Sequence, residues 1–179
     1  PGDDEIAGAL ANAGFEHLLL NSSEQTISKH KGIALDLSAV AKGYAVDQVA
    51  DLLEMLALPD YLVEVGGEMR LSGSNSEGKP WRVAIELPSL MPQVQRVIAV
   101  NNGAVATSGD YRNYFEKQGV RYSHTIDPRN GKPIRHNLAS VTVMLDRCAN
   151  ADAWATALMV LGEEEGMRIA NQHSIPAYM

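Results

Sequence analysis

The stretch that most constrains the fold is Ile33–Glu54, IALDLSAVAKGYAVDQVADLLE. It reads as a short apolar strand, Ile33–Leu35, that ends on Asp36 and turns into a long helix. The helix is expected to run to about Ala57, because Pro59 blocks its continuation. Ser38 is the expected N-cap, its hydroxyl accepting a bond from a backbone N–H of the first turn. Val40, Tyr44, Val49, Leu52, Leu53 and Leu56 form an apolar stripe near helical period. Small residues (Ala39, Ala41, Gly43, Ala45) crowd the first turns, where Asp36 and Lys42 are the charges. Two readings follow: a well-capped core helix, or a helix start whose free N–H groups and positive dipole end face an anion.

The flanking segments set the fold class. Asp3–Ala13 reads as a first helix stopped by Gly14. Phe15–Leu20 is a short strand, and Thr26–Ser28 another. After the long helix come YLVEV (Tyr61–Val65), Gly66-Gly67 and Glu68–Ser72. The two glycines permit either a tight turn or close backbone approach to a ligand. Trp81–Glu86 and Val94–Val100 alternate as strands, with a proline-containing connection at Leu87–Gln93, and Asn101-Asn102-Gly103 has the residues of a hairpin turn. Thr107, Ser108 and Gly109 read as a small polar turn followed by Arg112, able to serve a phosphate or to cap the segment Tyr111–Phe115. Tyr122–Ile126 is a strand carrying His124, ended by the turn DPRNGKP. Ala139–Leu145 is a β run. Ala151–Leu161, with Asn150 as N-cap, and Glu163–Gln172 are helices, and Ser174–Met179 starts a last strand. Eight or nine short strands and four helices, with neighbouring strands joined by turns, give an α+β fold with a mostly antiparallel sheet.

Charge excludes some partners. The 179 residues carry a net charge of −7, which argues against a nucleic-acid surface or an acidic membrane face. A negatively charged ligand then needs a local cation. Cys148 is the only cysteine, so no intrachain disulfide forms, and a buried structural thiol is its expected state. The chain opens at Pro1 without an initiator Met and ends on Tyr178-Met179, so both ends read as trimmed and the lack of a targeting signal says nothing of compartment.

The second informative stretch is NADAWATAL, Asn150–Leu158. Asp152 and Thr156, four apart, share one helix face. Their oxygens suit Mg²⁺ or Ca²⁺; equally, Asp152 can complement a helix N-terminus and Thr156 back-bond to its own helix. His124 offers an imidazole for acid–base work beside a phosphate, or is simply packed. No Walker motif, dinucleotide-binding glycine fingerprint, CxxC or nucleophile elbow occurs.

DLSAVAKGYAVD (Asp36–Asp47) resembles the signature of the ApbE family of flavin transferases. YLVEVGGEMRLSG, WRVAIELP, VATSGDYRNYF, SHTIDPRNGKPI and ADAWATALMVLG follow in that family's order and extend the resemblance over most of the chain from Ile33. The resemblance implies an α+β architecture of the T-fold kind. It implies transfer of FMN from FAD to a Thr or Ser hydroxyl of a target protein, as a phosphoester, with AMP leaving. It also implies Mg²⁺, with Ca²⁺ possible in its place. Some members hydrolyse FAD to FMN and AMP instead, and a non-catalytic FAD-binding protein is the remaining alternative.

By position, the resemblance assigns metal contacts to the Ala39 carbonyl, Asp152 and Thr156. Ala155 stands where some members have an acid. FAD contacts fall on Asp36, Lys42 and Ile126, and flavin-pocket loops on Gly66, Gly67, Thr107 and Ser108. His124 matches the histidine expected to deprotonate the acceptor hydroxyl. Expected targets are subunits of membrane redox complexes, such as the sodium-pumping quinone reductase and its Rnf relatives. The expected location is the bacterial periplasm or the outer face of the inner membrane, through a lipid anchor outside this chain. Residues 1–179 are expected to form one domain of the family, lacking the N-terminal segment that precedes it there and trimmed at the C-terminus.

Overall fold

The computed structural model describes residues 2–29, 32–87, 93–110, 114–117 and 119–179. Helix α1 spans Asp3–Leu10, with Gly2 at its N-cap donating to Glu5 Oε2 at 2.8 Å. Past Gly14 the chain makes a short 3-10 turn, Phe15–His17, so the expected strand begins only at Leu18. Strands β1 (Leu18–Asn21) and β2 (Thr26–Lys29) form an antiparallel hairpin.

Ile33–Leu35 is not a strand. Among the described residues no strand pairs with it; its Ile33 carbonyl accepts from Lys29 Nζ. Helix α2 covers Ala41–Met55, and its N-cap is Val40 rather than Ser38. Ser38 is drawn into a different turn, its N–H donating to Asp36 Oδ1 at 2.7 Å. The expected apolar stripe is also not the buried face. Tyr44, Val49, Leu52 and Leu56 are exposed, whereas Gly43, Val46, Asp47 and Ala50 are buried. Small residues win the inward face because another helix lies against it: a Cβ at Gly43 would stand 2.4 Å from the Cys148 carbonyl oxygen.

Strands β3 (Tyr61–Val65) and β4 (Glu68–Ser72) are joined by Gly66-Gly67, whose φ values of +62° and +100° require glycine. Strands β5 (Trp81–Glu86) and β6 (Val94–Val100) make an antiparallel ribbon, followed by β7 (Gly103–Gly109). Asn101–Gly103 is therefore not a hairpin turn. β6 pairs with β5, whereas β7 pairs with β4 and β12 (Ser140–Leu145), so this turn carries the chain from the ribbon into the main sheet. Thr107, Ser108 and Gly109 are the end of β7 and not a turn, because each has a partner on β12. Arg112 and most of the segment Tyr111–Phe115 lie outside the described residues, as does most of the Leu87–Gln93 connection.

Strands β8 (Tyr114–Lys117) and β9 (Val120–Ser123) form a hairpin, as do the two-residue strands β10 (Ile126–Asp127) and β11 (Lys132–Pro133). His124 lies in the bend between β9 and β10, not on a strand. Helix α3 runs Cys148–Leu161, one turn earlier than expected, and its N-cap is Arg147 rather than Asn150. Helix α4 is Glu163–Gln172, and β13 is Ala177–Tyr178.

The main sheet is antiparallel, in the order β13-β12-β7-β4-β3. Alternation along β7 divides the interior. Ala104 and Ala106 face the helices: Ala106 packs with Val141, Val143, Ala155 and Leu158, and Ala104 with Val46, Ala50, Tyr61 and Cys148. Val105 faces the other way, into a cluster with Leu71, Val83 and Val100 from the ribbon side. The fold is α+β and mostly antiparallel, as the strand count predicts. Among the described residues no helix is long and apolar enough to cross a membrane.

Candidate functional site

The N-terminal ends of α2 and α3 meet, and each is capped by an aspartate of the other. Asp47 Oδ1 and Oδ2 accept from the Cys148 and Ala149 N–H groups, both at 3.0 Å. Asp152 Oδ2 accepts from the Gly43 N–H at 3.0 Å. This explains the early start of α3: the cap comes from α2, so no local Asn150 cap is needed. The Gly43 N–H lies in the first turn of α2, whose donors have no partner within the helix. Asp152 supplies the missing acceptor.

Beside these helix starts lies a cleft of about 520 Å³. Lys42 and Ser38 border it at α2, and Asp152 and Thr156 at α3. Gly66, Gly67, Glu68 and Met69 enter from the β3–β4 turn. Thr107, Ser108 and Gly109 come from the end of β7, and Ser140 and Thr142 from the start of β12. Val83 to Glu86 supply the ribbon wall, and His124 the far rim. Eight of the sequence-expected residues, Lys42, Gly66, Gly67, Thr107, Ser108, His124, Asp152 and Thr156, thus line one cavity. Three do not border it. Ala39 lies in the turn just before α2, Asp36 is exposed and bound into the Ser38 turn, and Ile126 is 49% exposed on β10.

The polar groups of the cleft are partly committed. Thr107 and Thr142 hydroxyls share a 2.8 Å hydrogen bond across β7 and β12. Outside the cleft, the turn hydrogen bonds from Ser38 hold the Asp36 carboxyl below its usual range. The feature the sequence reading passed over is Glu68. Its side chain is 2% exposed, and Oε1 lies 2.5 Å from Lys42 Nζ. Burial pushes its carboxyl up, the Lys42 hydrogen bond and charge pull it back, and the Asp152 charge adds to the rise. The signal was present in β4: Glu68 and Arg70, two apart, share one strand face. Both pair with α2: Glu68 with Lys42, and Arg70 with Asp47, Asp51 and Glu54. Charges at alternate positions of a covered strand call for partners on whatever covers it.

Among the described residues no cluster of three or more His, Cys, Asp or Glu could hold a metal. The donors that do meet at the cleft are the Asp152 carboxylate, with one oxygen not hydrogen-bonded to any described residue, and the Thr156 hydroxyl one turn along the same helix. Such all-oxygen donors fit a hard divalent ion completed by water and ligand phosphates. Mg²⁺ meets that description.

The ApbE family model matches residues 1–179. Among curated relatives, the FAD:protein FMN transferase of Vibrio cholerae is 50% identical over 181 residues, covering all of this chain and 54% of that protein. The Escherichia coli K12 protein of the same name is 43% identical over 183 residues, covering all of this chain and 52% of that one. The flavin transferase ApbE structure from Vibrio cholerae superposes with a TM-score of 0.87 at 47% identity, covering 99% of this chain and 56% of that one. The apo flavinyl transferase ApbE of Pseudomonas stutzeri gives 0.87 at 44% identity, covering 99% and 54%. This chain spans about half the length of the curated relatives it matches. A match over the full sequence, with the fold reproduced at this identity, shows that the chain belongs to the ApbE family.

Proposed function

We propose that this chain carries the site of an Mg²⁺-dependent FAD:protein FMN transferase. The observation that carries the reading is the convergence of Lys42, His124, Asp152 and Thr156 on one cleft beside two helix starts. Asp152, Thr156 and the Ala39 carbonyl are the residues that would hold Mg²⁺. When bound, that ion offsets the charge of the FAD diphosphate and polarises the anhydride bond. Lys42 binds a phosphate oxygen, with Asp36 and Ile126 at the ligand's outer edge. Gly66-Gly67 and the Thr107–Ser108 strand end form the pocket wall for the flavin. His124 takes the proton of a Thr or Ser hydroxyl on the target. The hydroxyl oxygen then attacks the phosphorus of the FMN half, the anhydride bond breaks, and AMP leaves.

The targets on this reading are subunits of membrane redox complexes of the sodium-pumping quinone reductase or Rnf type. The protein works in the periplasm or on the outer face of the inner membrane, held by a lipid outside these residues. Nucleic acid is not among the expected partners.

Incubation with FAD, Mg²⁺ and a target domain tests the proposal by mass spectrometry of the target. Gain of one FMN, lost in Asp152→Ala, is the expected result. AMP release with no modified target would identify an FAD pyrophosphatase. FAD binding without turnover would leave a passive binder. Either outcome overturns the transferase reading.

A further inference from the structure

Glu68 begins β4 directly after the Gly66-Gly67 turn. It lines the cleft with a side chain that is 2% exposed. Oε1 meets Lys42 Nζ, and the buried Oε2 takes no hydrogen bond from the described residues. A carboxylate buried this far is costly unless it is paired. By charge alone it is also misplaced, because beside an anionic diphosphate it repels the ligand.

Its geometry gives another account. Lys42 is a flexible four-carbon stem in the first turn of α2, where the helix dipole disfavours a cation. Something must hold the ammonium at the cleft. Gly66 clears a lane for the stem: a Cβ there would come within 3.3 Å of Lys42 Cδ. The ammonium has three N–H donors, so the one directed to Glu68 leaves two for phosphate oxygens.

We propose that Glu68 is a positioning residue that fixes Lys42 Nζ at the phosphate position of the cleft, acting through Lys42 and not on the ligand. The inference rests on the flavin-nucleotide reading above. The signs of the two effects differ. Loss of a merely repulsive charge tightens anion binding, whereas loss of a positioner weakens it.

Calorimetric titration with FAD and Mg²⁺ of wild type, Glu68→Gln, Lys42→Met and the double variant separates them. Glu68→Gln is expected to weaken binding by roughly fivefold or more, and to change it by less than about twofold when Lys42 is already Met. Unchanged or tighter binding in Glu68→Gln overturns the proposal, as does equal weakening in both backgrounds, which marks a general structural role. Wild type that binds no FAD overturns the functional reading and this inference with it. Should Glu68→Gln fail to fold, as judged by its thermal melt, Glu68→Asp keeps the charge but withdraws it by one methylene. It is expected to weaken FAD binding in the same Lys42-dependent way, and undiminished affinity there is equally fatal.

Discussion

Asp47 and Asp152 cap each other's helices. Asp47, on α2, binds the first N–H groups of α3, and Asp152, on α3, binds the Gly43 N–H in the first turn of α2. The exchange works because two helix N-termini, each with unpaired donors and a positive dipole end, lie close enough to share two carboxylates. Only one of these carboxylates borders the cleft. Asp47 is enclosed, with Arg70 and Arg147 as further partners, whereas Asp152 lines the cavity.

Gly43→Ala tests how closely the helices approach. Its Cβ would sit 2.4 Å from the Cys148 carbonyl oxygen and 2.7 Å from Ala149 Cα, both backbone atoms that cannot swing away. Ala is the better helix former, yet the expected result is a loss of about 2 to 3 kcal/mol in urea unfolding. An unchanged or raised midpoint would contradict the packing described.

The two aspartates should separate in a paired comparison. Asp47→Ala removes two caps and two ion-pair partners from a buried position, and is expected to cost roughly 2 to 3 kcal/mol of stability. Asp152→Ala removes one cap and is expected to cost about 1 kcal/mol. On the proposed function, its larger effect falls on flavin transfer in the presence of Mg²⁺, which should disappear. Parallel denaturation curves and transfer assays check the split; equal losses of stability and activity in both variants would refute it.

Much of this arrangement was legible in the sequence, and the limits have physical causes. Alternation and turn residues gave the strands from Tyr61 to Val100 and the helix Glu163–Gln172 nearly to the residue, because those patterns are local. The starts of α2 and α3 were misplaced because their caps are tertiary: no scan of neighbours finds an Asp47 that caps Cys148. The apolar stripe on α2 misled for the same reason. Gly43 and Ala50 face inward because a helix packs there, not because they are hydrophobic. Eight of the residues that the ApbE resemblance singles out line the cleft, while Ala39, Asp36 and Ile126 do not, and the resemblance gives no hint of Glu68, whose meaning depends on Lys42 arriving from another element.

Cys148 should be chemically silent in the native protein. It is fully buried at the first position of α3, and burial pushes its thiol up to about 12, with the Asp47 charge adding to the rise. Thiolate is the reactive form, so a thiol reagent at neutral pH is expected to label it only after denaturant is added. Rapid labelling of folded protein would show that the α2–α3 junction opens.

Acid should destabilise the fold through Asp51. Hydrogen bonding by Arg147 holds its carboxyl below the ordinary value of 3.8, with Arg70 assisting. The folded pKa is therefore the lower one. This contribution is fully present above 3.8 and is lost as pH falls through the folded value. Glu68 works in the opposite sense: burial raises its carboxyl, so its contribution declines as pH rises above its ordinary 4.5. Asp51 is 36% exposed, so salt screening keeps its share small. Melting temperatures between about pH 3 and 6 should fall on the acid side, and Arg147→Met should flatten that limb. A limb unaffected by Arg147→Met would remove Asp51 from the account.

The cleft has no contiguous segment that could stand in for it. Lys42, Glu68, Thr107 and Asp152 come from four elements spread along the chain, so the cavity exists only once the distant helix starts have docked. A ligand that grips both helix starts behaves as a removable cross-link over the long intervening stretch of chain. By mass action it stabilises the folded state by about 2.7 kcal/mol when present at a hundred times its dissociation constant. Occupancy of the site and survival of the fold then become one equilibrium read from two ends: on the proposed function, a melting curve recorded with and without FAD and Mg²⁺ reports on binding, with no need to watch the chemistry at all.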